Sequence, residues 1–390
     1  MDLVRTIKIL PIHQVAKAAV LKTVALVALI LVINSTETVA QWLPGYGYKG
    51  KLTIQGAQIC GAGTLTNFPV LINLSGDVFK TAPAGLVAHP NGFDITFTAT
   101  DQTTILNHEI ESYDASTGTF SAWVSMPALT ANVDTDIYFY YGNPSVVSDP
   151  STTSTWDPSF RTIYHFNNNN FNDATPNGIN SINSGTTNIP GKIGDARDFD
   201  GASNYIQSAS NELTTASNFT ISVWFKADVV NPAHIIWQGV STENGWGNGV
   251  GGAQEMNLST GTCCPGSLAQ NDYVSYFLGD REEQASTDVL SVETAFTNTT
   301  TWQYAVATVS NLDTSPHAEI FLNGASIGTN VGVANALTAR NLWNSNLLIG
   351  RPGANARFNT LTLHRLKAVD EWLFNTSIAR LMLITEALRK

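Results

Sequence analysis

Two glutamates one residue apart, Glu109 and Glu111, are followed by Asp114 in the segment HEIESYD, giving the spacing E-x-E-x-x-D. Residues i and i+2 of a strand share a face, so the first two carboxylates would project together. Paired carboxylates on either side of a glycosidic bond serve as nucleophile and general acid, which makes this the sharpest sign of catalysis in the chain. The competing expectation is that both glutamates face solvent from a half-buried strand. A second acidic group, Asp280, Glu282 and Glu283 around Arg281, follows Tyr276 and Phe277. Hard cations gather several oxygens at one place, so these residues, with Asp200 and a contribution from Asn204, form the expected Ca2+ site. The alternative is a solvated turn in which Arg281 pairs with one acid, and no DxDxDG-type loop is present. Sugar recognition uses aromatic faces flanked by amides and backbone groups. Trp246 in ENGWGNGVGG and Trp343 in NLWNSN fit that description, with Tyr205 and Asn204 beside them as rim residues. Trp123, Trp224 and Trp302 sit in strand patterns and read as core.

The remaining reactive residues lack catalytic spacing. His165, in IYHF, reads as a satisfied core histidine, and His234 has no second histidine nearby. Neither GxSxG nor a phosphate-cradling glycine loop leading into a helix occurs. Cys60, Cys263 and Cys264 are an odd set without zinc spacing. Cys263 and Cys264 are adjacent and are expected to form a vicinal disulfide, with pairing of one of them to Cys60 as the alternative.

These residues are carried by short alternating segments. YKGKLTIQG, FPVLINL, FDITFT, ILNHEIESY, TFSAWVSM and DIYFYY fall between 48 and 141, each bounded by turn residues such as Pro90-Asn91-Gly92 and Ser116-Thr117-Gly118. After the Pro/Ser/Thr stretch at 145–159 the pattern resumes with RTIYHF, NYIQ, FTISVWFK, HIIWQ, YVSYFL, WQYAVATV and IFLN. Such spacing predicts antiparallel sandwiches. Asn323-Gly324 predicts a hairpin turn, because both residues accept positive φ. The sequence therefore predicts an all-β chain of two antiparallel β-sandwich (jelly-roll) domains, 41–144 and 160–390, joined by a linker at 145–159. Ser377–Leu388, with apolar Ile378, Leu381, Met382, Ile384 and Leu388, predicts a short amphipathic helix.

Residues 1–40 read as a cleaved signal peptide: a basic start, the apolar core Thr23–Ile33, and Thr38-Val39-Ala40 before Gln41. That core is shorter than a membrane span of ~20 residues, and the mature chain is expected to have no transmembrane segment. Cleavage removes four basic residues and two acidic ones, which moves the formal charge from −11 to −13. An acidic surface repels phosphate backbones, so nucleic acid is not an expected partner. With only 13 % charged residues, the surface suits neutral polymers or divalent cations.

Trp42 before YKGKLTI, FPVLI at 68–72, GFDITFTATD at 92–101, HEIESYD at 108–114, Trp123-Val124 and DIYFYYGNP at 136–144 resemble a bacterial secreted domain of unknown function, the type often found in ExbB/TolQ-labelled proteins. YHF at 164–166, GKIGDARDFDG at 191–201, FTISVWFK at 219–226, TWQYAVATV at 301–309, IFLNG at 320–324, LLIGR at 347–351 and DEWLFNTSIAR at 370–380 are similar to laminin-G-like, concanavalin-A-like jelly rolls. His364, Arg365 and Lys367 depart from that pattern where a final core strand would enter, so an irregular C-terminal edge is expected. The resemblance implies fold firmly and function loosely. Laminin-G-like domains often carry calcium at one rim. Laminarinase-type hydrolases share the jelly roll and use E-x-D-x-x-E, whereas here the carboxylate types are exchanged and lie in the first domain. The expected protein is secreted or at the cell surface, non-enzymatic, and binds an extracellular glycan or protein through the jelly-roll rim. A self-assembling filament or matrix subunit and a glycan-degrading enzyme or accessory module are the alternatives.

Overall fold

The dense apolar run FPVLINL does not alternate, and the fold explains why. In a computed structural model it lies within a strand buried on both faces. The structure describes residues 42–364 apart from 60, 62, 211–217, 229–232, 240–254, 261–272, 280–288, 312–316, 332–345 and 351–355. The expected leader, the C-terminal helix and all three cysteines lie outside the described residues.

The first sandwich is built from β1 (Tyr48–Ile54), β2 (Thr64–Ser75), β3 (Thr96–Thr98), β4 (His108–Asp114), β5 (Thr119–Thr130) and β6 (Thr135–Tyr141). They form two three-stranded sheets, β1-β6-β3 and β2-β5-β4, with antiparallel pairing throughout. Val70, Ile72 and Leu74 of β2 point into the core with Phe97, Phe120, Val124, Ile137 and Phe139. Leu71 points the other way, in register with Trp123, and is also buried. Two-sided burial is what a continuous apolar run signals.

The second sandwich contains β7 (Phe160–Tyr164), β8 (Ser181–Ser184), β9 (Thr187–Pro190), β10 (Asp195–Asp198), β11 (Tyr205–Ser208), β12 (Phe219–Ala227) and β13 (Ala233–Gly239). It continues with β14 (Glu255–Thr260), β15 (Tyr273–Gly279), β16 (Val289–Ala295), β17 (Gln303–Ser310), β18 (His317–Leu322), β19 (Ala325–Val331), β20 (Leu348–Ile349) and β21 (Ala356–His364). One sheet runs β19-β18-β17-β12-β21-β10-β9, with β7 also paired to β21, and the other runs β16-β15-β14-β13-β20-β11-β8. Between them lie Ile221, Val223, Phe225, Ile235, Ala305, Ala307, Val309, Ile320 and Ile349. Asn323 and Gly324 both take positive φ in the β18–β19 hairpin, as expected. The departure at His364 does not displace the last core strand. β21 lies in the sheet interior between β12 and β10, and its irregularity is a register shift against β7 at Leu363/His364.

Both sandwiches belong to one compact unit, Pro44–Lys390. Within the stretch expected as a linker, Val147 is exposed, Thr152 caps a short 3-10 turn at Thr153–Thr155, and Trp156 is buried. Among the described residues, no helix is long and apolar enough to cross a membrane.

Candidate functional site

Glu109 and Glu111 do not face solvent, which corrects the simpler expectation for this strand. The β4–β5 register shifts between Ile110 and Ser112, leaving Glu111 as the extra residue of a bulge, and bulges re-aim side chains. Both carboxylates turn into the junction between the sandwiches. Trp156 donates its indole N–H to Glu109 at 2.5 Å, and Trp123 donates to Glu111 at 2.5 Å. His165, just past the end of β7, inserts between the two acids. Its Nε2 lies 3.3 Å from Glu109 and its Nδ1 lies 3.4 Å from Glu111. The Glu111 side chain is fully buried, and those of His165 and Glu109 are only 12 % and 18 % exposed.

One acid therefore stands at each ring nitrogen. Nε2 is within hydrogen-bond reach of Glu109, while Nδ1 meets Glu111 at ion-pair distance without hydrogen-bond geometry, and two carboxylates so close favour the charged imidazolium. Burial opposes the charge, but the nearby carboxylates of Glu111 and Glu109 outweigh it and raise the imidazole to about 10. Asn167 adds a hydrogen bond from its amide to the Glu111 carbonyl at 2.7 Å. Around the polar group, Trp156, Phe160 and Ile163 form a small core of their own, with Trp123 and Ala174 against it. Trp123 thus belongs to the junction rather than to a sandwich interior. Asp114, the third acid of the spacing, serves its own turn. The Ser116 hydroxyl and the Ser116 and Thr117 amides hold its carboxyl down to about 2.

The loop after His165 bends through left-handed conformations at Phe166, Asn168 and Asn169. It is tied to β10, where Asn167 accepts the Asp195 amide and Asn168 donates its own amide to the Asp195 carboxylate. Asn169 accepts from the buried Arg197, whose guanidinium also reaches Asn188 and both the hydroxyl and carbonyl of Thr186, and lies 4.9 Å from the Phe171 ring. Each of these hydrogen bonds ends on a neutral oxygen, and the bonds spread over a planar fork that lysine cannot reproduce. Arg197→Lys is expected to lower stability by about 2 kcal/mol, measured by urea unfolding. A loss below about 0.5 kcal/mol would show that the fork is dispensable.

Asp200, Asn204 and Tyr205 lie together at the start of β11. Asp200 is exposed, and its carboxylate accepts the amides of Ala202, Ser203 and Asn204 and the Ser203 hydroxyl. Those amides hold it well below the ordinary carboxylate range. Asn204 closes the turn by accepting the Asp200 amide. Both residues thus organise the loop that leads Tyr205, half-buried, into the sheet. Trp246, Trp343, Asp280, Glu282 and Glu283 lie outside the described residues, as do Cys263 and Cys264. Among the described residues, no three His, Cys, Asp or Glu side chains converge as metal ligands. Sequence reasoning missed the joining of Glu109, Glu111 and His165, although the non-alternating run at 68–74 signalled a second buried face on that sheet.

Residues 91–179 match the family described as a domain of unknown function, DUF2341, and residues 200–373 match the concanavalin A-like lectin/glucanases superfamily. The first match includes Glu109, Glu111, Trp123, Trp156 and His165, so it runs through the junction. No curated protein sequence matches the chain. Among solved structures, domain 4 of AbnA, a GH43 extracellular arabinanase from Geobacillus stearothermophilus in complex with arabinotriose, is 14 % identical. The match covers 58 % of this chain and 98 % of that one, with a TM-score of 0.39. The binding domain of botulinum neurotoxin DC in complex with SialylT is 14 % identical, with 55 % of this chain and 50 % of that chain covered and a TM-score of 0.38. A CBM40 of Ruminococcus gnavus IT-sialidase bound to α2,3-sialyllactose is 12 % identical, with 49 % and 96 % covered and a TM-score of 0.32. The chain carries a DUF2341 domain followed by a laminin-G-like domain of the concanavalin A-like superfamily.

Proposed function

We propose that this is an exported, non-catalytic binding protein whose laminin-G-like domain recognises an extracellular glycan at its rim. The observation that carries this reading is the fate of the paired carboxylates. Glu109 and Glu111 are held by two indoles and an imidazolium inside a closed junction, so they are not presented to a polysaccharide. Hydrolysis by a retaining mechanism needs such a pair on either side of an accessible bond. What remains is a jelly roll whose second-domain match is to a superfamily of lectins and glucanases.

In this reading Trp246 and Trp343 supply the ring platforms and Tyr205 the adjacent rim. Calcium at Asp280, Glu282 and Glu283 organises the adjoining segment, and residues 1–40 direct export. The test is a glycan array probed with the purified chain in calcium and then in chelator, alongside Trp246→Ala. The expected result is binding that falls at least tenfold in Trp246→Ala and weakens with chelator. Absence of binding to any glycan would overturn the reading and shift weight to a protein partner or to self-assembly, which light scattering would then distinguish.

A further inference from the structure

We propose that Glu109, His165 and Glu111 form a charge-operated latch: with the imidazolium in place the two sandwiches move as one body, and without its charge the junction opens. The argument begins with the ring. Glu109 and Glu111 approach it at opposite nitrogens, 3.3 and 3.4 Å away. A neutral imidazole has one N–H and one lone pair. If the ring loses its proton to solvent, one nitrogen presents a lone pair to a carboxylate. The contact turns from attraction to repulsion, and the trio goes from one net negative charge to two. In a site this dry, an unpaired charge is strongly unfavourable.

The titratable groups facing His165 are Glu109 and Glu111, both from β4. The junction and β5 offer the indoles of Trp156 and Trp123, and the following loop offers Asn167, none of which titrates in the relevant range. The surrounding contacts are few in kind. A three-residue apolar core and single hydrogen bonds from Asn107 to the Ser154 carbonyl, from the Thr152 amide to the His108 carbonyl and from the Ile110 amide to the Ser151 hydroxyl complete the join. Within 145–159, Thr155 and Trp156 are buried at this join while Val147 is 80 % exposed, so cleavage beside Trp156 reports whether the latch is closed.

The experiment measures subtilisin cleavage at Thr155–Trp156 of the full chain, located by mass spectrometry, at pH 7.5 and pH 10.5, with rates normalised to an unstructured peptide, and compares His165→Gln. The wild-type protein is expected to be cut at least tenfold faster at the higher pH, reversibly on return to pH 7.5. His165→Gln is expected to be cut at the fast rate at both values. A wild-type rate independent of pH overturns the proposal, as does a variant that matches the wild type at both values. A purely structural role for the ring would slow or speed cleavage without moving its pH profile. Should His165→Gln fail to fold, the wild-type profile alone decides.

Discussion

Replacing Asp94 by alanine is expected to destabilise the first sandwich by about 3–5 kcal/mol, the range for breaking a buried charged network. Asp94 is fully buried before β3, and its carboxylate accepts four backbone amides. Those of Ala88, Gly142 and Asn143 reach one oxygen at 2.8, 2.7 and 3.3 Å, and that of His89 reaches the other at 2.8 Å. The carboxylate thereby joins the loop at 88–89 to the end of β6. Hydrogen bonds to a charged group contribute about 1.5–3 kcal/mol each, and abandoned buried amides carry a desolvation cost. Asparagine is not a mild replacement, because its NH2 would face N–H donors. Asp94→Asn should therefore lose nearly as much as Asp94→Ala. Urea unfolding checks both, with a lower midpoint and an unchanged slope. A loss below 1 kcal/mol for the alanine variant would refute this account.

Asp94 also shows where sequence reading stops. Alternation in FDITFT predicts a strand from 93, yet β3 begins at Thr96. The side chain at 94 is committed to a loop, and a polar residue in an alternating run looks the same whether it faces water or gathers amides. The two motifs that Asp94 joins, GFDITFTATD and DIYFYYGNP, were both visible in the sequence, but their contact was not. The strand order of the sheets was beyond reach for a related reason. β21 is a central strand that arrives last among the described residues, and nothing local distinguishes it from an edge. By contrast, β5 and β12 are legible because their apolar residues recur at the period of a pleated strand, β2 because a dense apolar run is bounded by turn residues, and the β18–β19 hairpin because only a few residues accept its backbone.

The site was legible in its residue types and not in its geometry. E-x-E spacing places Glu109 and Glu111 on one face, and the bulge at Glu111 preserves their partnership, yet the same pattern is compatible with a cleft, a solvent face or an interface. His165, 54 residues beyond Glu111, carries no sequence mark of its connection to them. What decides between the readings is the outer side of β2 and β5, where Leu71 and Trp123 make that sheet apolar on both faces. A sheet of that kind must be covered, and the cover brings the histidine. The described rim residues, Tyr205 and Asn204 expected for sugar and Asp200 for calcium, divide similarly. Asp200 and Asn204 are absorbed by their own turn, leaving Tyr205 as the described member with a ring to offer.

Glu111→Ala is the second large effect. The truncation leaves the Trp123 indole N–H and the Nδ1 side of His165 facing an empty, buried position. Removing one partner of a buried pair costs about 3–5 kcal/mol. Glu111→Gln keeps an oxygen for the indole while removing the charge, so its loss should be smaller, about 1–3 kcal/mol. The pH dependence separates charge from packing. In the wild-type protein the His165 imidazole is raised from its ordinary value near 6.5 to about 10. The folded state binds that proton more tightly than the unfolded state, so the stabilisation is complete below about pH 6.5 and disappears as pH rises through about 10. Over that window the folded protein should lose up to about 5 kcal/mol through this group alone. Removing the Glu111 carboxylate lowers the folded-state value toward 6.5, because Glu111 is the larger of the two attractive influences. The alkaline decline should therefore begin near the same pH but end at lower pH, with a smaller total loss, in both Glu111 variants. Urea midpoints measured from pH 6 to pH 10.5 test this, and parallel curves for wild type and Glu111→Gln would mean that the carboxylate at 111 does not hold the proton on His165.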